Sequence, residues 1–432
     1  MSGTTSIDAV VRYEATKDFE HSTLSNILTM LERSLSKKPK IEQMANRLSE
    51  YFSTAILLLA FATFVVWWIW PHSFEVAFMV GISVIVIACP CALALATPVA
   101  TMVGLGQGAK RGILFKEAAH LETLAKIDTL VLDKTGTITE GKPTVQHVKW
   151  YSEEAHKEEN KQKLLALLNA SHHPVSVGVA AYLFQSLTKL PALDELQQIP
   201  ARGMVARCKG SLLLGGNAAL MQDNGIDVDA ESEHTLFYFA IDQQLIARFE
   251  LSDTPKVDAA KVINSIKHSG IDVVMLTGDH EKVAQRIAKE VGIENVHAEL
   301  TPMQKADLIE QMQAEGHKVV MAGDGVNDIL ALAKAEIAIA MGSGSDIAID
   351  VSDVILMNDS LTSLEEAFKI GRTTFKLIKQ NLAISLVYNA VTIPLAMAGY
   401  IIPLIAAISM SVSSLLVVGN SIRIRFMWKR SK

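Results

Sequence analysis

The sequence predicts two kinds of structure in one chain: an α-helical membrane domain and an α/β domain built on a doubly wound parallel sheet. Three observations carry this. Four long apolar segments lie in pairs, one pair before and one after a mixed middle of about 280 residues. Lys and Arg gather on one side of those segments only. Within the middle, short β-branched runs stop at Asp or Thr and lead into helical patterns, as strands do when their carboxyl ends carry a site.

The apolar segments run from Tyr51 to Trp70, Phe74 to Leu95, Leu382 to Gly399 and Tyr400 to Val418. Each approaches the ~20 residues a bilayer core demands. Arg33, Lys37, Lys38, Lys40 and Arg47 precede the first, and Lys110, Arg111 and Lys116 follow the second. Arg423, Arg425, Lys429, Arg430 and Lys432 close the chain, whereas the connections "PHSFE" and "GYIIP" hold neither Lys nor Arg. Both ends and the middle are therefore expected in the cytoplasm, with membrane lipid as a partner. Tyr51, Trp67, Trp68 and Trp70 read as interfacial anchors. The opening "MSGTTSIDAVVRYEAT" has neither the cationic start nor the apolar core of a signal peptide. With 50% hydrophobic residues the chain is too apolar for a purely soluble protein, and a net charge of -6 argues against nucleic acid as a partner. Three cysteines, two of them inside an apolar run, exclude a disulfide framework.

The strand-end motifs are "IDTLVLDKTGT", "IDVVMLTGD" and "KVVMAGDGVND". Parallel pairing would gather Asp133, Thr277, Asp324 and Asp328 at one sheet edge. A carboxylate there can attack a phosphoryl group and form a covalent intermediate. An anionic nucleophile meeting an anionic phosphate needs Mg²⁺, which takes carboxylate oxygens, and a cation such as Lys305 of "TPMQK".

In the apolar run "VGISVIVIACPCALALATP", two thiols flank a proline. On an unbroken helix, residues two apart face nearly opposite ways, so Cys89 and Cys91 could not share an ion. Pro90 removes a backbone hydrogen bond and unwinds the turn, letting both face one cavity. Thiolates select Cu(I), Ag(I) or Zn(II) over hard ions. From Gln380 to Ile422 there is no charged residue, so no carboxylate is at hand there to complement a divalent ion.

"DKTGT" (Asp133 to Thr137), "MLTGD" (Met275 to Asp279), "GDGVND" (Gly323 to Asp328) and "CPC" together resemble a heavy-metal P-type ATPase. The resemblance implies a haloacid-dehalogenase-like fold with an inserted α+β nucleotide-binding domain. It assigns Asp133 as the phosphorylated aspartate, Thr135 as its neighbour lining phosphate and metal, and Thr277, Gly278 and Lys305 as phosphate contacts. Asp133 and Asp324 are then the magnesium ligands, with Asn327 and Asp328 supporting the phosphate site. "SHHP" resembles the family's SEHP, which places His173 at adenine, with His172 in place of the glutamate. "ARGMVARCKG" resembles the family's GxGxxA run, with Ala201 for its first glycine and Gly203 as its second. Lys134, Asp279 and Asn327 join His173 and Gly203 as expected cofactor-binding residues. Cys208 reads as a small strand residue without a role. Tyr388 and Asn389 in "YNAVTIP", with Met410, Ser413 and Ser414 in "MSVSSLLVVGNS", resemble the copper-transporting members, so the expected copper set is Cys89, Cys91, Tyr388, Asn389, Met410 and Ser414.

The implied layout is an actuator tail and linker over 1–48, a helix pair over 49–98, phosphorylation-domain parts over 99–142 and 250–372, a nucleotide-binding domain over 143–249, and a second helix pair over 373–432. The implied activity is ATP-driven Cu(I) movement out of the cytoplasm of a bacterial inner or plasma membrane, using ATP and Mg²⁺, with a cytosolic copper chaperone as a partner. Two alternatives stand beside it: a Zn(II)/Cd(II) pump of the same family, and a membrane-anchored phosphatase of the same catalytic fold. Thr135, at the position where such phosphatases carry a second aspartate, speaks against the phosphatase, and a complete set of Asp133, Lys305 and Asp324 speaks against a non-catalytic remnant. No Thr-Gly-Glu loop occurs in the sequence, so the chain is expected to be a fragment of a pump, capable of slow autophosphorylation but not of sustained turnover.

Overall fold

A computed structural model describes residues 39–69, 73–88, 91–151, 157–171, 173–183, 190–199, 202–229, 232–342 and 344–427. Cys89, Pro90 and His172 lie outside the described residues, and of the side chain of Cys91 nothing is described. The chain divides into two compact units, one from 1–127, 352–359 and 363–432, the other from 128–351 and 360–362.

The first unit is mostly helical. Its helices are Lys40–Ile69, Phe74–Ile87, Cys91–Ala109, Ala118–Leu124, Leu361–Met397 and Pro403–Met427. Lys40–Ile69 and Pro403–Ile424 are long and apolar enough to cross a membrane. Leu57, Leu58, Phe61, Val66, Leu404, Ile405, Leu415 and Leu416 stay exposed on them. Such rows of exposed large apolar side chains are foreign to a monomer that meets only water. The span expected over 74–95 is instead two helices. The first ends at Ile87 with Ala88 as its cap, and the next starts at Cys91 and continues to Ala109. A proline at 90 has no N–H to carry the ladder across that point. The segment expected over 382–399 is the end of a 37-residue helix, and the last segment begins at Pro403 and runs on to Met427. Trp67, expected as an interfacial anchor, donates its Nε1–H to the Met397 carbonyl at 3.0 Å.

The expected boundary at residue 99 does not match the division of the chain. Residues through Ile127 cluster with the helices, because strand Ile113–Phe115 pairs antiparallel with Val354–Leu356 in this unit.

The second unit holds two sheets. A parallel set runs in the order Ile337–Met341, Val319–Gly323, Thr129–Asp133, Asp272–Leu276, Asn295–His297, so the Asp133 strand is central. Its strands are short continuous apolar runs, as buried parallel strands are. Helix Glu281–Val291 shows the facing pattern: Val283, Ala284, Ile287, Ala288 and Val291 are buried at helical spacing, and Gly292 ends the helix in the left-handed region. The second sheet is six-stranded and antiparallel, from Thr144–Trp150 to Gln244–Ser252 at one side and Asp194–Ile199 at the other. Helices Lys157–Leu168 and Pro174–Leu183 close its core through Leu164, Leu167 and Val179. Because the last of these strands runs to Ser252, the inserted segment closes three residues later than 249.

Helix Pro174–Leu183 approaches its sheet through Gly178, where an added Cβ would stand 2.1 Å from the Pro143 carbonyl oxygen. A backbone atom cannot swing away. Gly178→Ala is expected to cost about 2–3 kcal/mol as overpacking and to lower the melting temperature of the full chain. An unchanged melt would show that this helix does not sit so close to its sheet.

Candidate active site

Parallel register assembles the site. Asp133 pairs with Leu276, and Leu132 with Ala322, so Thr277 and Gly323-Asp324 leave the sheet beside Asp133. Helix Pro302–Ala314 brings the cation. Thr301 and Gln304 form a capping box, Pro302 opens the first turn, and Lys305 sits within that turn. Its Nζ bridges Asp133 Oδ1 and, at 2.8 Å, Asp328 Oδ1. All three side chains are buried.

Carboxylate oxygens of Asp133, Asp324 and Asp328 lie within 4.8 Å of one another. The backbone makes room for this crowding. After Asp133 the chain turns through Lys134–Ile138, and Gly136 takes a φ of 71°. A Cβ at that position would fall 1.6 Å from Asp324 Oδ2, so only glycine fits. Burial, then repulsion from Asp328 and to a lesser degree Asp324, pushes the Asp133 carboxyl up to about 7 against the pull of Lys305. For Lys305 burial acts downward, but the Asp133 and Asp328 carboxylates outweigh it and the ammonium is held above its ordinary range. A cluster of hard carboxylate oxygens is the donor set that a hard divalent ion such as Mg²⁺ takes.

Around this centre, Lys134 pairs with Asp279, joining the first strand end to the second. Thr277 is buried, and its Oγ1 accepts from the Asp279 N–H at 3.1 Å. Gly278 and Asn327 are exposed beside it, and Thr135 is half-buried. The sequence reading missed three neighbours. Lys256, buried, donates to the Gly136 carbonyl at 2.9 Å. Asp253 accepts from Thr139 Oγ1 at 2.5 Å, and Gly344 leaves space beside the Asp324 backbone. Only "SDTPK" after an apolar strand could have signalled the first two.

In the inserted segment His173 keeps exposed surface, yet partial burial of its imidazole holds it below the ordinary range, against the upward pull of the Asp279 carboxylate. Its Nδ1 accepts from the Val175 N–H at 3.3 Å, which leaves the proton on Nε2 as an outward donor. Gly203 has a φ of 146°, and a Cβ there would meet the Gly215 oxygen at 2.3 Å. Gly203 and Gly216 are cross-strand neighbours. Cys208 is buried and free in the same strand.

In the helical unit, Tyr388 and Met410 are half-buried and Asn389 is buried. The Tyr388 hydroxyl donates to Ser409 Oγ at 2.9 Å, tying the last two helices together. Ser413 Oγ is buried without a partner, and Ser414 is half-buried. The structure describes positions for these residues, and for Cys91 the helix start alone.

Residues 127–336 match the family model described as haloacid dehalogenase-like hydrolase. Over 429 residues the chain is 39% identical to a protein of Staphylococcus epidermidis named copper-exporting P-type ATPase, covering 96% of this chain and 53% of that one. A protein of Bacillus subtilis with the same name is 36% identical over 434 residues, covering 98% and 54%. The chain thus spans about half the length of the curated relatives it matches. Among solved structures, a zinc-transporting PIB-type ATPase in the E2.Pi state superposes with a TM-score of 0.71 and 28% identity, over 94% of this chain and 68% of that one. The catalytic domain of a CPx-ATPase, CopB-B, superposes with a TM-score of 0.51 and 26% identity, over 61% and 98%.

The raised Asp133 pKa has a signed consequence for metal-free protein. The group is neutral in the fold up to about 7 but ionises near 3.8 when unfolded. The stability this supplies is complete below the lower value and lost as pH rises through the higher one. Asp133→Asn, which stays neutral, is therefore expected to melt a few degrees above wild type at pH 8, about 2–4 °C per kcal/mol relieved. The gap should narrow toward pH 5, close only near pH 4, and shrink on adding Mg²⁺. A gap independent of pH would show that the carboxylates do not repel as placed.

Proposed function

We propose that this chain, which carries a haloacid dehalogenase-like hydrolase domain, is part of a P-type ATPase and supplies the catalytic and ion-binding parts of a Cu(I) pump. In this reading ATP hydrolysis, through an aspartyl-phosphate on Asp133, drives Cu(I) out of the cytoplasm. The observation that carries it is Asp133 itself: a buried carboxylate at the end of the central strand, bridged to Lys305 and crowded by Asp324 and Asp328.

The chemistry is a phosphoryl transfer. An Asp133 carboxylate oxygen bonds to the γ-phosphorus of ATP as the bond to the β–γ bridging oxygen breaks, and ADP leaves with that electron pair. Lys305 offers positive charge to the incoming phosphoryl oxygens while holding Asp133 in place. Mg²⁺, when bound by Asp133 and Asp324, neutralises phosphate charge and favours the ionised carboxylate. Thr135, Thr277 and Gly278 line the phosphoryl position, with Asn327 and Asp328 behind it. His173, with its Nε2 proton, meets adenine, and Gly203 contributes backbone from a strand whose close approach to Gly215 and Gly216 requires glycine there. Lys134, through Asp279, keeps the first two strand ends together. Thr135 cannot act as a general acid, which favours a phosphoenzyme that persists.

The choice of Cu(I) rests on two supports. The curated relatives are named copper-exporting. The segment from Gln380 to Ile422 brings polar and thioether groups but no charge. Soft ligands with no carboxylate suit a monovalent soft ion. A Zn(II) pump is the second reading, since one superposing structure is a zinc transporter. In the proposed pump Cys89, Cys91, Tyr388, Asn389, Met410 and Ser414 hold the ion within a multi-pass membrane protein of a bacterial inner membrane. Membrane lipid surrounds the helices, and a cytosolic copper chaperone delivers the ion.

Incubation with γ-labelled ATP and Mg²⁺ is expected to leave an acid-stable, hydroxylamine-labile label on the chain. Asp133→Asn should reduce it to background while ATP still binds. Label retained at wild-type level in that variant would remove Asp133 from the proposed role.

A further inference from the structure

One buried side chain of the helical unit has no part in the chemistry above. Asn381 is fully buried in helix Leu361–Met397 and uses its whole carboxamide. Its Nδ2 donates to the Ala96 carbonyl at 3.4 Å and to Ser421 Oγ at 2.8 Å. Its Oδ1 accepts from Asn420 Nδ2 at 2.8 Å. Ser421, also fully buried, passes its own proton to the Val417 carbonyl at 2.9 Å, so the chain of bonds is complete. Three helices meet at this one amide: the one that starts at Cys91, the one that carries Tyr388 and Asn389, and the one that carries Met410 and Ser414.

We infer that Asn381 is a positioning residue for the Cu(I) site: it fixes the register of these three helices so that their ion-binding residues arrive at one level. The inference rests on the copper reading above. Its geometric basis is the spacing. Tyr388 lies two turns beyond Asn381, and Ser414 two turns before Ser421, about 10 Å along each axis and on the same face as the clamp residue. Cys91 lies about a turn and a half before Ala96. Since the chain directions alternate, all three displacements run the same way from the clamp. The Tyr388–Ser409 hydrogen bond ties two of the helices a second time at the ion level. Asn381 ties in the helix from Cys91. Each residue of slip on a helix shifts a side chain by about 1.5 Å along the axis and 100° around it, enough to carry a ligand out of reach. A planar amide offers two N–H donors and a carbonyl acceptor, enough to link its own helix to two others at once, which the single hydroxyl of Ser or Thr cannot match.

The test uses the full chain in detergent, with Cu(I) alone as the probe. Affinity is read by competition with a chromophoric Cu(I) chelator, and the ligand shell of bound copper by X-ray absorption at saturation. Asn381→Ala is expected to weaken Cu(I) binding about tenfold, the upper range for an interhelical hydrogen bond, and to leave a sparser shell. Ser421→Ala, a milder change if the first does not fold, is expected to weaken it about threefold. Ser83→Ala is the control. That hydroxyl is as buried, but bonds only within its own helix, to the Met79 carbonyl, and its removal should leave affinity and shell unchanged. Unaltered affinity and shell in Asn381→Ala would overturn the inference. So would equal weakening in Ser83→Ala, which would mean general loosening of the bundle. If Cys91→Ser binds Cu(I) as wild type does, the copper-site reading fails first and the clamp falls with it.

Discussion

The catalytic unit depends on holding three carboxylates closer together than they would choose to be. Asp133, Asp324 and Asp328 come within 4.8 Å, and the lysine shared by Asp133 and Asp328 does not fully offset burial and the neighbouring carboxylates, so the Asp133 carboxyl is pushed up. The surrounding backbone is shaped by this. Gly136 exists to let Asp324 approach, Gly344 clears the Asp324 backbone, and Gly323 lies against the Asp328 side chain. Lys256 then holds the Gly136 carbonyl, so the tight turn is braced from outside the cluster.

The helical unit meets the opposite problem. A charge buried among apolar helices is expensive, so polarity there takes the form of neutral amides and hydroxyls. Asn381, Asn420 and Ser421 satisfy one another, while Ser385 and Thr392 bond back to their own helices. Ser413, Thr97 and Thr101 keep buried hydroxyls with no partner, a cost that structure without function would shed. The two units thus place reactive groups by different means: one by charge at a sheet edge, the other by neutral hydrogen bonds between helices.

What the sequence made legible was local. Asp133, Thr277 and Asp324 end apolar strands, and parallel pairing is enough to bring such ends together. Lys305 was readable as a cation in "TPMQK", between the last two strand-end motifs. The break near Pro90 followed from a missing donor. The close approach of Gly136 to Asp324 was not readable, since it joins residues far apart in the chain and depends on a turn whose shape no periodicity reveals. Lys256 and Asp253 were missed for the same reason. The pairing of Ile113–Phe115 with Val354–Leu356 groups residues through 127 with the helices, which the layout implied by the resemblance, with its boundary at 99, did not foresee. Helix Leu361–Met397 outran its apolar part because helical hydrogen bonding does not stop where hydropathy falls. Asn381 looked like an ordinary polar residue at the edge of a span, and only three-helix packing shows it fully enclosed.

The capping box at Thr301 and Gln304 bears on the timing of entropy loss. A lysine on a surface carries ~2 kcal/mol of rotamer freedom, which would have to be surrendered each time it gripped a phosphate. Here Thr301 and Gln304 lock the first turn, Pro302 narrows it further, and two carboxylates pin the ammonium before any substrate arrives. The freedom of Lys305 is given up once, when the chain folds. Any anion that enters meets a cation already in place, and the ordering cost falls on folding rather than on binding.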